Sequence, residues 1–73
     1  MTQTIETIPS AAAKRLRAWR KRLQLNLYDA GTRLGFPATY LSRWERGDNV
    51  PSLRAAFQIQ DATGIPARSW VVP

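Results

Sequence analysis

The amino-acid sequence predicts an all-α fold, a compact bundle of four to five short helices in one domain. Apolar residues recur at intervals of three and four through most of the 73-residue chain, which is the spacing of one face of a helix. Serine or asparagine, which cap helix starts, and glycine, which caps helix ends, lie at the ends of these segments. No segment has the pattern of a strong strand. A chain of this length buries only a modest core, so self-association is one way for it to gain stability.

The first helix is predicted from Ser10 to Leu23, after a polar segment, residues 1–9, that we expect to be a flexible N-terminal arm. Pro9 ends this arm with an X-Pro step, which disfavours helix in the preceding residue. Ser10 offers an N-cap to the helix that follows. One apolar stripe is expected to face the core: Ala12, Leu16, Trp19 and Leu23.

The second helix is predicted over about Leu27–Leu34. Asn26 is its candidate N-cap, and Asp29 lies in the first turn, where the helix dipole favours a carboxylate. Gly31 allows another helix to approach closely, and Gly35 follows as a C-terminal cap.

The third helix is predicted from Pro37 to Arg46, because proline suits a first helical turn and Gly47 can end the helix in a left-handed conformation. Leu41 and Trp44 share the side expected to be buried. Short polar and cationic residues share the opposite side: Thr39, Ser42, Arg43 and Arg46. Such a face has the chemistry needed to enter the major groove of DNA and to contact base edges and phosphates.

The fourth helix is predicted from about Leu53 to Thr63, with Ser52 as N-cap and Gly64 at its end. A last helix of about one turn is predicted from Pro66 to Trp70. Residues 71–73 are an apolar C-terminal tail, either frayed or in strand-like contact with a second subunit. The side chains of the fourth helix expected to face inward are Leu53, Ala56, Phe57 and Ile59.

The composition argues against an enzyme and against a metal or cofactor site. The chain has no cysteine and no histidine, so it has no thiolate ligand, no imidazole ligand and no imidazole base. Only carboxylates remain as catalytic candidates, and their spacing suggests no inward-facing pair: Glu6, Asp29, Glu45, Asp48 and Asp61. We therefore assign no catalytic residue.

The charge favours a polyanionic partner. The formal net charge is +6 and the sequence pI is about 11.2, and such an excess of cations drives association with nucleic acid through counterion release. Six cations lie between Lys14 and Arg22. A basic amphipathic segment can also lie on a membrane, but the few apolar positions here fit a domain core. With no apolar run near the length of a membrane span and no signal-peptide pattern at Met1, we expect a cytoplasmic protein.

Residues 16–70 resemble the DNA-binding domain of the Cro and phage-repressor type, known as the XRE family. The clearest portion is 26–47, and its most specific piece is the Leu-Ser-Arg-Trp-Glu-Arg-Gly segment at 41–47. Pro51-Ser52-Leu53 and Gly64-Ile65-Pro66 also fall where the family has similar residues. The resemblance implies a lambda-repressor-like helix-turn-helix domain over residues 10–70.

The resemblance makes the third helix the recognition helix. Arg43 is the strongest candidate for a direct contact, since a guanidinium can bond guanine O6 and N7 together. Ala38 offers only apolar contact, for example to a thymine methyl. The positions that match base contacts in the family are Pro37, Ala38, Thr39, Ser42 and Arg43.

The resemblance also implies phosphate contacts, including one at the N-terminus of the second helix, where unpaired amides attract an anion. Two residues depart from the family: Leu27 stands where glutamine is common, and Asp48 lies in a loop that is commonly basic. Tyr40 has a second reading, packing over the junction with the second helix. The candidate phosphate contacts are Arg20, Asn26, Leu27, Tyr28, Tyr40, Arg46 and Asn49.

Arg20 and Glu45 occupy positions that pair in the family, so the resemblance implies a structural salt bridge between the first and third helices. The large aromatic side chains are expected in the core rather than stacked on nucleic acid: Trp19, Phe36, Trp44 and Phe57.

These observations predict a sequence-specific regulator of transcription that binds double-stranded DNA. Its expected form is a small phage or mobile-element repressor acting as a homodimer on a palindromic operator. One alternative is an antitoxin-like or adaptor module whose main partner is a protein, held by Trp70 and the apolar tail. Another is an architectural or RNA-binding helical module.

Overall fold

The computed structural model describes residues 10–70, so the predicted arm at 1–9 and tail at 71–73 lie outside the described residues. Within this range the chain forms only helices and connecting turns, which confirms the all-α prediction. No helix in this range is long and apolar enough to span a membrane. The helices are α1 (Ala11–Arg22), α2 (Leu27–Leu34), α3 (Ala38–Arg46), α4 (Leu53–Thr63) and a 3₁₀ helix (Ala67–Trp70).

The predicted N-caps of α1, α2 and α4 are confirmed by hydrogen bonds from backbone amides. Asn26 Oδ1 accepts from the amide of Asp29 at 2.7 Å. The hydroxyl oxygens of Ser10 and Ser52 each accept from the amide three residues later, both at 3.2 Å. Each cap satisfies one of the amides that a helix start leaves unpaired.

Three predicted helix ends differ from the structure. Pro37 has a helical φ of −61° but an extended ψ of 148°, so it is the N-cap of α3 rather than a residue of its first turn. Leu23 lies just beyond α1 instead of ending it. The last helix begins at Ala67, not Pro66, and has 3₁₀ geometry.

Trp44 of α3 lies at the centre of the buried core. Its ring makes edge contacts with Phe36, Tyr40 and Trp70, at centroid distances of 5.1, 5.9 and 6.4 Å. Such edge-to-face pairs add to the stabilisation that apolar burial provides. The buried side chains around it come from every helix: Ala12, Ala13, Leu16, Trp19, Ala30, Leu34, Leu41, Ala55, Ala56, Ile59, Ile65, Ala67 and Trp70.

Three side chains predicted to face the core do not. Leu53 is 71% exposed, Phe57 is 51% exposed and Leu23 is 42% exposed. In α4 the neighbouring elements instead cover the side that carries Ala55 and Ile59. Helix α4 has apolar residues around most of its circumference, so its spacing alone could not identify the buried side.

The turn between α2 and α3 brings the two helices into close contact. A Cβ on Gly31 would collide with the carbonyl oxygen of Phe36 and would lie 3.3 Å from the amide nitrogen of Ala38. The carbonyl of Gly31 also accepts hydrogen bonds from the amides of Gly35 at 2.7 Å and Phe36 at 2.9 Å. This contact determines the angle at which α3 leaves the turn.

Candidate nucleic-acid interface

The outer face of α3 presents the residues predicted to contact bases. Pro37, Thr39 and Arg43 are exposed, while Ala38 and Ser42 are half-buried. The opposite side of the helix is anchored in the core by side chains that are less than 5% exposed. Four of the five candidate base contacts therefore lie on α3, and Pro37 precedes them as its N-cap.

Arg43 is available for an external partner. No salt bridge or side-chain hydrogen bond occupies its guanidinium within residues 10–70. Its side chain lines a shallow pocket of about 400 Å³ together with Tyr40 and Asn49. An exposed guanidinium of this kind retains all five donors for a base or a phosphate.

Arg46 is exposed as predicted, but it has an intramolecular partner. Its Nε donates to Asp48 Oδ2 at 2.9 Å, and the two side chains are 62% and 45% exposed. The backbone holds Asp48 in place, because its amide donates to the carbonyl of Arg43 at 3.0 Å after the left-handed turn at Gly47. The sequence analysis identifies the acid in this loop but does not predict its pair with Arg46. The helix-ending glycine between the two residues could have indicated that the chain turns back there.

The N-terminus of α2 offers unpaired backbone donors. The amides of Leu27 and Tyr28 have no hydrogen-bond partner in the described part of the chain. The carboxamide oxygen of Asn26 is used as the cap, which leaves its NH₂ group as a donor. The side chain of Leu27 is half-buried against the core, whereas Tyr28 is 73% exposed. An anion here would therefore meet amides and the tyrosine hydroxyl rather than the leucine side chain.

Two further candidate phosphate contacts are Tyr40, in the first turn of α3, and Asn49, beyond its end. Asn49 Oδ1 accepts from the amide of Val50 at 3.0 Å, so its NH₂ group is again the free part. Tyr40 is 52% exposed although its ring packs against Trp44. The ring of Tyr40 therefore packs on Trp44 of the same helix, and its phosphate contact stays a prediction.

Arg20 and Glu45 form a two-pronged salt bridge between α1 and α3. Arg20 Nε and Nη2 donate to the two carboxylate oxygens at 2.7 and 2.9 Å, and Nη1 donates to the carbonyl of Leu25 at 3.1 Å. The side chains are only 14% and 7% exposed. The hydrogen bond to Glu45 raises the pKa of Arg20 above its ordinary value. Arg20 thus acts as a brace for α3 and keeps two of its five N–H groups for any other acceptor.

No group of three or more possible metal-ligating side chains occurs within residues 10–70. The donors on this surface are instead guanidiniums, hydroxyls, carboxamides and backbone amides, which are the groups that bind phosphates and base edges.

Comparison with known proteins places the chain among helix-turn-helix proteins. The profile of one protein family, described as helix-turn-helix, matches residues 16–70. A search of curated protein sequences gave no match. Among solved structures, an HTH_3 family transcriptional regulator from Vibrio cholerae superposes with a TM-score of 0.68 and 22% identity; the match covers 85% of this chain and 35% of that protein.

Two other solved structures match along most of their own length. The restriction-modification controller protein C.AhdI from Aeromonas hydrophila has a TM-score of 0.65 and 25% identity, over 81% of this chain and 86% of that one. SinR, a master regulator for biofilm formation solved in complex with DNA, has a TM-score of 0.66 and 19% identity, over 84% and 98%. At these identities the matches support the shared fold.

Proposed function

We propose that this chain, which belongs to the HTH_3 family of helix-turn-helix proteins and is on that ground a DNA-binding transcriptional regulator, acts as a repressor that binds a palindromic operator as a dimer. The outer face of α3 is the observation that carries the proposal, because Arg43 stands there exposed and unpaired beside Thr39 and Ser42. One structural neighbour, SinR, was solved in complex with DNA. An operator of a phage or other mobile element is the setting we propose.

Sequence readout in this proposal rests on Pro37, the N-cap of α3, and on α3 residues between Ala38 and Arg43. Arg43 donates two hydrogen bonds to guanine O6 and N7, a contact worth roughly 1–3 kcal/mol of discrimination. Thr39 and Ser42 bond a base edge or a phosphate, and Pro37 and Ala38 supply apolar contact.

Affinity comes mainly from phosphate contacts around this helix. The amides of Leu27 and Tyr28 and the NH₂ group of Asn26 receive one phosphate at the N-terminus of α2. Arg46 and Asn49 receive others near the end of α3, Tyr40 receives one at its first turn, and the uncommitted N–H groups of Arg20 supply a further contact. These contacts position the domain without reading sequence.

Repression then needs no further domain, since a bound dimer excludes RNA polymerase from the promoter by its bulk. Two copies related by a two-fold axis would contact half-sites about 34 Å apart, one turn of DNA.

Selection of binding sites from random duplex DNA tests the proposal, because an enriched palindrome reports specificity and symmetry together. Equal affinity for the selected and a scrambled duplex at about 150 mM salt would contradict sequence-specific binding. Two arginine variants on α3 form a matched pair. Arg43→Ala should lose discrimination at one base pair, whereas Arg46→Ala should weaken binding to all duplexes alike.

A protein partner is the second candidate function, favoured by the exposed Leu53 and Phe57 on α4. The sequence analysis assigned Trp70 to such a contact, but Trp70 is 4% exposed and is therefore part of the core. A partner that co-purifies in fixed stoichiometry and blocks DNA binding would favour this function.

A further inference from the structure

The outward side of α4 carries two large apolar residues between two opposite charges. Leu53 and Phe57 are 71% and 51% exposed, and Arg54 and Asp61 are exposed beside them. We refer to Leu53, Arg54, Phe57 and Asp61 as the α4 outer stripe. Leu53 and Phe57 also line a groove of about 580 Å³ between α4 and the 3₁₀ helix. Adjacent apolar side chains beside a groove are typical of an interaction surface.

The two charges on this stripe have the signs that the helix dipole disfavours at their positions. Arg54 lies in the first turn of α4 and Asp61 in the last, and α4 has no acid in its first turn and no base in its last. A helix prefers the reverse arrangement by about 0.3–1 kcal/mol for each charge. Neither residue forms a salt bridge within the described residues. Seven residues of helix place them roughly 10 Å apart along the axis, too far to pair with each other.

We propose that the α4 outer stripe packs against the same stripe of a second copy of this chain, with the two helices antiparallel across a two-fold axis. In that arrangement Arg54 meets the partner's Asp61, and Asp61 meets the partner's Arg54. The axis passes close to Phe57, so the two phenyl rings cover each other at the centre. One geometry thus compensates both misplaced charges and removes the exposed apolar surface from water.

A second copy fits this stripe because its charges are self-complementary. Residues seven apart on one helix with opposite signs match only an antiparallel copy of the same pattern, as an isologous interface requires. By contrast, the exposed side of α1 carries many cations, and two such surfaces would repel each other. This inference rests on the proposed function in one respect, namely that the protein acts as a dimer. It adds which surface forms that dimer.

The size of this contact predicts a weak dimer. Helix α4 has 11 residues, which is roughly 16 Å of helix, so the contact is smaller than the roughly 800 Å² per partner of a standard interface. We expect dissociation constants of about 10 µM to 1 mM without DNA. Two adjacent half-sites raise the effective concentration of the second copy, so DNA would complete the dimer.

Sedimentation equilibrium on charge-reversal variants tests the pairing. Arg54→Glu and Asp61→Lys should each weaken self-association by about tenfold, because each places like charges opposite one another. The double variant Arg54→Glu, Asp61→Lys keeps the net charge and should return to within about threefold of the original protein. Each change also agrees better with the helix dipole, so a weaker dimer cannot be attributed to a weaker helix.

Two apolar variants provide the matched comparison. Phe57→Ser should abolish self-association, while Val50→Ser, at a side chain of similar exposure outside the stripe, should leave it unchanged. Circular dichroism would establish that each variant is folded.

Three results would overturn the inference: a double variant no better than the single ones, loss of association with Val50→Ser but not with Phe57→Ser, or a protein that stays monomeric up to about 1 mM and on DNA. A chain that dimerises as expected but prefers no duplex sequence would contradict the proposed function alone. Specific binding by a monomer would contradict this inference and leave DNA recognition intact.

Discussion

Two arginine–carboxylate pairs in this protein have similar lengths but lie in different surroundings. Arg20 and Glu45 meet at 2.7 Å with side chains 14% and 7% exposed, and Arg46 and Asp48 meet at 2.9 Å with side chains 62% and 45% exposed. Removing one partner from a desolvated pair leaves the other charge uncompensated, whereas water replaces a lost partner at the surface. The buried pair therefore contributes more to stability, and we propose that the exposed pair modulates DNA binding instead.

Glu45→Gln should lower the free energy of unfolding by about 2–4 kcal/mol, because the guanidinium of Arg20 then stays largely buried without its counter-charge. Asp48→Asn is the matched control and should change it by less than about 0.5 kcal/mol. Urea denaturation followed by tryptophan fluorescence measures both. Equal effects of the two substitutions would contradict a structural role for the buried pair.

Asp48→Asn should raise affinity for DNA a few-fold on every duplex. The substitution removes an acid beside Arg46 and frees that guanidinium for a phosphate, so the slope of log affinity against log salt should steepen by up to about one. Fluorescence anisotropy at several salt concentrations measures both effects. If Asp48→Asn left affinity unchanged while Arg46→Ala lowered it, Asp48 would not compete for Arg46.

At the scale of helices, the approach of α2 to α3 depends on one residue without a side chain. Gly31 leaves no space for a Cβ, because the carbonyl of Phe36 and the amide of Ala38 lie against it. The relation between the N-terminus of α2, the candidate phosphate site, and the outer face of α3 is therefore sensitive to this position. A shift of α3 by a fraction of an ångström would displace all the proposed base contacts together.

Gly31→Ala should destabilise the domain by about 1–3 kcal/mol, even though alanine is the better helix former by nearly 1 kcal/mol. Thr32→Ala, at the exposed neighbouring position of the same helix, should be neutral or slightly stabilising. Thermal unfolding and DNA affinity of both variants are the measurements. A Gly31→Ala variant as stable as Thr32→Ala would mean that the turn can open without loss.

The sequence predicted the helix boundaries to within one residue, because N-caps and C-terminal glycines act on neighbouring residues. The bounds of α2 and α4 match their predictions, with Asn26 and Ser52 as caps. The buried side of α4 could not be predicted from the sequence, since Leu53 and Phe57 are as apolar as the side chains that do face inward. Only the positions of α2 and the 3₁₀ helix decide which side is covered.

At the scale of the whole molecule, the protein is a cationic domain that lacks the side chains that ordinarily titrate near neutral pH. It has a net charge of +6, no histidine and no cysteine, and these absent residues are the side chains whose ordinary pKa lies nearest neutrality. The raised pKa of Arg20 means that its pair with Glu45 contributes fully below the ordinary arginine pKa. As pH rises through the raised value, the guanidinium loses its proton and that contribution is lost.

The free energy of unfolding should therefore vary by less than about 0.5 kcal/mol between about pH 6 and 8. Urea denaturation at intervals across this range measures it. A change above about 1 kcal/mol would reveal a group whose pKa folding has moved into the range.

Local chemistry was sufficient for the helices, their caps and the polar outer side of α3, because each depends on residues within a few positions of one another. The candidate base contacts came from the same local pattern together with the family resemblance. Tertiary packing decided the rest: it brings Arg20 and Glu45, a pair that only the family resemblance predicted, together across 25 positions of sequence, and it leaves Leu53 and Phe57 in solvent. Such outcomes depend on where distant helices pack, and the free energy of that packing cannot be deduced from the spacing of apolar residues within one segment.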